Sequence, residues 1–180
     1  RSLLLDTGGG LQKAGHLFGF EGPVVVHNAD IFTDFDLRSM IRSHLDSGDD
    51  ATLLVSDRPT SRYLLFDSDG RMKGWTNRKT GEVRPPHLAS HELTPKAFGG
   101  VHVVSGHLLK RLAENPSERP YSITPFYVEN CAELNISGYE PSESYSWFDI
   151  GKPETLEACR RFVQGSTGAG LTVPDLPEIQ

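Results

Sequence analysis

Two aspartates stand out by what precedes them. In Val24-Val25-Val26-His27-Asn28-Ala29-Asp30-Ile31-Phe32, three β-branched residues run into a polar cluster that ends in an acid. That is the pattern of a buried strand delivering a carboxylate at its C-terminal end, where ligands of open α/β sheets bind. At Trp147-Phe148-Asp149-Ile150-Gly151 a second hydrophobic run ends in an acid, then a glycine and a helix start. A single aspartate in such a place is more often a turn or capping residue. Two of them, at two strand ends, are enough to hold a divalent cation on a phosphorylated substrate. His27 lies three residues from Asp30 and either orients such a site or is an ordinary hydrogen-bonded histidine.

Other clusters carry less. Asp34-Phe35-Asp36 spells D-x-D, the metal motif of many glycosyltransferases, but Asp36 directly precedes apolar residues at 37, 40, 41 and 45 and reads more naturally as a helix N-cap. His87 and His91 have a zinc-like spacing with neither a helical pattern nor a third ligand. Asp67 and Asp69 mark a turn, since calcium-loop spacing fails after them and no Glu closes the loop.

The elements that must position these residues follow from periodicity. Asp6-Thr7-Gly8-Gly9-Gly10 opens a short helical pattern from Leu11 to about Leu17; the glycines either bring backbone N–H groups close to a ligand or form a flexible turn. Buried strands are expected at Val24–Val26 and Ala51–Val55, a helix at 37–45 ended by Ser47-Gly48-Asp49-Asp50, and a hairpin of 63–66 with 72–75. Ala97 to Val104 reads as a strand whose paired glycines suggest a bulge or the close approach of neighbouring backbone or a sugar ring. Helices follow from Ser105 or Gly106 to about Ala113, from Thr124-Pro125 to about Leu134, and from Pro153 onward. Strands are expected at 135–139 and 145–150. Leu3–Leu5 is a short strand or the end of an element, and residues 165–180 are expected to be a flexible tail. Alternating strands and helices indicate a layered α/β domain, its mixed sheet mostly parallel and flanked by helices, with the hairpin and the polar segment 76–95 as an inserted substrate region.

At 180 residues one domain with a sizeable core is expected. The net charge of −6 and pI near 5.6, without a basic stripe, argue against nucleic acid as partner. No apolar run reaches membrane-spanning length. Cys131 and Cys159, lacking a C-x-x-C pattern, fit free thiols in a reducing cytoplasm.

Thr7-Gly8-Gly9-Gly10, Asn28-Ala29-Asp30-Ile31-Phe32, Phe98-x-Gly100-Val101 and Trp147-Phe148-Asp149-Ile150-Gly151-Lys152-Pro153-Glu154, in that order, resemble the sugar-1-phosphate nucleotidyltransferases. The nearest branch is that of the N-acetylmuramate-1-phosphate uridylyltransferases and the mannose- and heptose-1-phosphate guanylyltransferases. The match covers about residues 3–164. The resemblance implies a Rossmann-like nucleotidyltransferase fold and an enzyme joining a sugar 1-phosphate to a nucleoside triphosphate, with Mg²⁺ as cofactor and release of pyrophosphate. Carried over position by position, Asp30 and Asp149 are catalytic metal ligands. Thr7, Gly8, Gly9 and Asn28 lie at the nucleotide, Gly100 and Lys79 at the sugar, and Lys152 is either a phosphate contact or simply exposed. Relatives begin with a Gly-rich loop carrying a catalytic Arg, then a Lys-Pro segment; neither occurs in these residues. The sequence therefore reads as an N-terminally truncated, C-terminal piece of the fold, inactive by itself, whose exposed strand edges invite a partner or a homodimer. The alternatives are a non-catalytic nucleotide-sugar-binding or regulatory relative, and a metal-dependent glycosyltransferase using Asp34 and Asp36.

Overall fold

The computed structural model describes residues 5–114 and 120–166 of the chain. Leu3, Leu4 and nearly all of the expected tail lie outside them. The described elements are α1 (Asp6–Gly15), β1 (Val24–His27), β2 (Ile31–Thr33), α2 (Leu37–Ser47), β3 (Ala51–Ser56), β4 (Arg62–Phe66) and β5 (Met72–Asn77). They continue with β6 (Glu82–Arg84), a 3-10 turn at Ser90–Glu92, β7 (Thr94–Val104), α3 (Gly106–Glu114), α4 (Ile123–Asn130), β8 (Ile136–Tyr139), β9 (Trp147–Asp149) and α5 (Pro153–Ser166).

A seven-stranded sheet runs β6-β5-β4-β7-β3-β8, with β1 joining β7 beyond the end of β4. A second ladder pairs β2 with β9. The long β7 is the spine. Val101–Val104 pair with β1 on one side, Thr94–Lys96 pair with β4 on that same side, and β3 covers the other. The fold is the expected Rossmann-like α/β arrangement with a mixed sheet. Its pairing corrects one expectation: β3 with β8 is the one parallel pair among the described strands. The reason is connectivity. Short turns make β4, β5 and β6 an antiparallel meander, and β7 runs back between β3 and β1. The second edge of β1 has no strand partner among the described residues, and Val25 on it is 36% exposed, so β1 is half-buried rather than buried.

Alternation along the central strands loads both faces. Leu53 and Val55 of β3 and Val104 of β7 pack with Leu11, Leu108, Leu109, Leu112, Ile123 and Tyr127, which places α1, α3 and α4 on one face. Leu54, Val101 and Val103 pack on the other face with Met40 of α2. Helix α2 forms as its sequence suggests: the Asp36 carboxylate caps it by accepting from Arg38 N at 3.0 Å, and Gly48 closes it at φ +63. The hairpin turn is held by Asp67, whose Oδ1 accepts from Asp69 N and Arg71 N and whose Oδ2 pairs with Lys73 at 3.1 Å, so the carboxylate serves the turn itself. Helix α4 starts two residues earlier than Thr124-Pro125 implied, after Ser122. Strand β6 arises inside the polar segment 76–95, where the sequence shows no hydrophobic run.

Candidate active site

Asp30 and Asp149 are brought together by the β2–β9 ladder. Ile31 stands opposite Asp149, and Ile150 N donates to the Asp30 carbonyl at 2.7 Å. Asp30 itself lies in the turn between β1 and β2, where Ile31 N donates to Asn28 O, and not on a strand end. Gly151 measures how closely the carboxylates converge. A Cβ there would sit 3.1 Å from Asp149 Oδ1 and 3.6 Å from Asp30 Oδ2. The Gly151 N–H donates to Asp149 Oδ1 at 3.1 Å and orients it. Behind the ladder, Phe32, Phe148 and Phe162 pack ring to ring and seat it against α5. That packing accounts for the aromatic residues Phe148 before Asp149 and Phe32 after Asp30, while Val24 and Val26 of the run before Asp30 pack against the main core.

The bulge of β7 ties both aspartate-bearing segments to the main sheet. Asn28 N donates to Gly100 O at 2.9 Å, and the Trp147 indole donates to Gly99 O at 2.8 Å. Gly100 holds φ +77, a conformation that favours glycine. Its open side is filled: a Cβ would meet Ile31 Cγ1 at 2.9 Å and Asn28 Nδ2 at 3.1 Å. The close approach foreseen at this glycine is therefore by the chain's own Asn28 and Ile31.

Two cavities open beside this junction. One, about 470 Å³, is lined by Asp6, Thr7, Asn28, Ala29 and Asp30. The other, about 490 Å³, is lined by Arg58, Thr60, Arg62, Trp75, Asn77 and Arg84 among others. Phe98, Ser122 and Thr124 belong to both walls. Arg58 escaped the sequence reading. It lies half-buried with its guanidinium 4.0 Å over the Trp147 ring and donates from Nη2 to Phe98 O at 2.8 Å. Burial pulls its pKa below the usual arginine range, and the charge of Asp149 opposes that pull. The one sequence signal was an arginine next to a proline just past a fully buried strand.

The remaining candidates divide. Thr7 and Asn28 line the cavity of Asp30, although the Thr7 hydroxyl already accepts from Ile123 N. Gly8 and Gly9 lie within α1, not at a turn before it, and both amides donate to the Tyr121 carbonyl, at 2.9 and 3.2 Å. Those N–H groups are engaged, which corrects the expectation that they face a base. Lys79 sits exposed in the β5–β6 turn, where its amide donates to Asn77 Oδ1, and it lines neither cavity. Lys152 is exposed at the entrance of α5. His27 is exposed too, with Nδ1 2.8 Å from Asn28 O.

Asp36 accepts from Arg38 N and Ser39 Oγ, and Asp34 Oδ1 accepts from Ser146 N at 2.6 Å. The hydrogen bond from Ser39, ahead of those from backbone, keeps the Asp36 carboxyl below its usual range. Both acids are spent on structure, and this overturns the glycosyltransferase alternative. Among the described residues no three His, Cys, Asp or Glu side chains converge as a metal site. The pair Asp30–Asp149 offers hard oxygen donors from two carboxylates, a set that suits Mg²⁺, which takes its other ligands from phosphate and water. No helix of the described residues is long and apolar enough to cross a membrane.

No family model matches the chain. It is 23% identical over 156 residues to a mannose-1-phosphate guanylyltransferase catalytic subunit beta of Drosophila pseudoobscura pseudoobscura, covering 83% of this chain and 38% of the relative. It is 22% identical to a mannose-1-phosphate guanyltransferase of Hypocrea jecorina, covering 97% and 47%. The chain thus spans less than half the length of these curated relatives. Among solved structures, HddC from Yersinia pseudotuberculosis superposes with a TM-score of 0.65 at 19% identity, covering 90% of this chain and 64% of that one. A putative glucose-1-phosphate thymidylyltransferase from Bacillus anthracis superposes with a TM-score of 0.68 at 15% identity, covering 91% and 63%. Sequence relatives and shared fold together make this chain a distant relative of the sugar-1-phosphate nucleotidyltransferases.

Proposed function

We propose that these residues form the substrate cleft of an enzyme that transfers a nucleotidyl group from a nucleoside triphosphate to a sugar 1-phosphate. One observation carries the reading: the Asp30 and Asp149 carboxylates lie within 3.6 Å of a single point, beside a cavity that Asp30 lines. An oxygen of the sugar phosphate attacks the α-phosphorus, the bond from that phosphorus to the β-phosphate oxygen breaks, and pyrophosphate leaves with the electron pair. The nucleophile is already an anion, so no general base is needed. What remains is alignment of the two phosphates and neutralisation of their charge. Asp30 and Asp149 would hold Mg²⁺, which when bound supplies positive charge shared between the phosphates.

The chain's own residues set the geometry. Gly151 N–H fixes the rotamer of Asp149, and Gly100 O fixes the backbone two residues before Asp30. The nucleotide belongs on the Thr7–Asn28 side and the sugar on the side of Trp75 and Asn77, with Phe98 between them. The names of the relatives make GTP and mannose 1-phosphate the first substrates to test. The unpaired edge of β1 is the surface a second copy would extend in the expected homodimer, in the cytoplasm.

Calorimetric titration with GDP-mannose, with and without Mg²⁺, tests the reading. Binding that requires the cation supports a transferase site. Binding of equal strength without it supports a non-catalytic nucleotide-sugar-binding relative instead.

A further inference from the structure

The cations that line or border the second cavity differ in one respect. Arg84 is neutralised by Glu82, 2.7 Å away, and Lys96 by Asp57 and Glu140. Arg58 and Arg62 form no ion pair among the described residues, and of these two Arg62 is exposed to solvent whereas Arg58 is half-buried. The Arg58 hydrogen bond goes to a neutral carbonyl, and its Nε is buried without a partner. A half-buried guanidinium left with spare donors is costly to keep. A purely structural arginine would spread its N–H groups over carbonyls and carboxylates, and Arg58 does not.

The side chain is also held still. Trp147 lies under its plane, and the same indole donates to Gly99 O, one residue along from the carbonyl that Arg58 bonds. Trp147 is two residues before Asp149 on β9, so guanidinium and carboxylate share one rigid mount. They are close enough that the Asp149 charge acts on Arg58. Arg58 lines the cavity that lies across Phe98 from Thr7 and Asn28. An anion reaching Asp149 from that side passes Arg58.

We propose that Arg58 is the residue that binds the 1-phosphate of the sugar substrate, in the sugar region where the sequence placed Lys79 and in the phosphate role it offered to Lys152. The assignment rests on the transferase reading above. The planar fork of donors suits two oxygens of one phosphate. Its stacking on Trp147 fixes the direction from which the sugar phosphate approaches the nucleotide. Lys79 does not serve, because its turn carries it away from both cavities.

The test uses nuclear magnetic resonance on the ¹⁵N-labelled chain, with the Arg58 Nε–H resonance identified by its loss in Arg58→Lys. Mannose 1-phosphate and mannose are titrated as probes in the presence of Mg²⁺, and GTP·Mg²⁺ in a separate arm. The expected result is a shift of the Arg58 resonance with mannose 1-phosphate and none with mannose. Arg58→Gln weakens mannose 1-phosphate binding about tenfold or more, as removal of a charged hydrogen bond should. Arg58→Lys recovers part of that loss, and GTP·Mg²⁺ affinity is unchanged in both variants. A stationary Arg58 resonance at saturation, or equal affinity in Arg58→Gln, overturns the assignment while leaving the transferase reading intact if GTP·Mg²⁺ still binds. If the wild-type chain binds neither GTP·Mg²⁺ nor mannose 1-phosphate, the reading itself fails and the assignment with it. Should Arg58→Gln not fold by circular dichroism, the wild-type resonance alone decides.

Discussion

Replacing Gly100 by alanine strikes the point where the sheet meets both aspartate-bearing segments. The residue holds φ +77, which costs an alanine roughly 1–2 kcal/mol. The new Cβ would also stand 2.9 Å from Ile31 Cγ1 and 3.1 Å from Asn28 Nδ2. Contacts that short must be relieved by moving the Asn28–Asp30 turn, an overpacking cost of about 1–3 kcal/mol. The combined loss, about 2–5 kcal/mol, is a large share of the ~5–15 kcal/mol that holds a domain together. In urea unfolding it should lower the midpoint by roughly 1–2 M. Gly10→Ala is the control: a Cβ at Gly10 meets nothing within 4 Å on the exposed face of α1. There the same substitution should stabilise by up to about 1 kcal/mol, the helix preference for alanine over glycine. Gly100→Ala within about 0.5 kcal/mol of wild type, the ordinary range for a surface change, would refute the reasoning.

Three further outcomes are expected elsewhere in the molecule. Asp36→Ala should cost about 1 kcal/mol through loss of the α2 cap and leave divalent-cation affinity unchanged; weakened cation binding would revive a metal role for the D-x-D stretch. His102 is sealed in the core beside Tyr127, and burial depresses its pKa from 6.5 to about 3. The unfolded chain therefore takes up the proton first as pH falls. Stability is full above pH 6.5 and drops toward pH 3 by about 1.4 kcal/mol per pH unit from this group, a slope that His102→Gln should flatten in urea melts across that window. A coupled pyrophosphate assay on the 180-residue chain with GTP, mannose 1-phosphate and Mg²⁺ should show no turnover. Release at a common enzymic rate, about 10 per second, would show that the residues present suffice.

Local pattern carried much of the fold. The strand β3, buried from Ala51 to Val55, the amphipathic α2 with its Asp36 cap and Gly48 stop, and the Asp67 turn each state their geometry within a dozen residues. The two aspartates were legible for the same reason, since each follows a hydrophobic run that packs locally, Val24 and Val26 against the main core and Phe148 against Phe162 of α5. Strand direction was not legible, because the partner of β7 on each side is set by chain reversal and leaves no mark on its own sequence. Gly8 and Gly9 were misread because the group their amides serve, the Tyr121 carbonyl, is distant in sequence. Arg58 was missed in the same way. In Asp57-Arg58-Pro59-Thr60 it looks like part of a solvated loop, and its stacking on Trp147 exists only in three dimensions. Lys79 illustrates the converse: a lysine in roughly the right stretch, but within a turn whose tight Asn77–Gly81 hydrogen bond points it outward.

The central claim is that Asp30 and Asp149 hold one cation between them. Electron paramagnetic resonance of Mn²⁺, titrated into the chain with GTP present, counts bound ions directly. One tightly held ion per chain is predicted, lost in Asp30→Asn and equally lost in Asp149→Asn, with both variants folded by circular dichroism. Retention of that ion when either aspartate is replaced would contradict the shared site, and with it the chemistry proposed for this cleft.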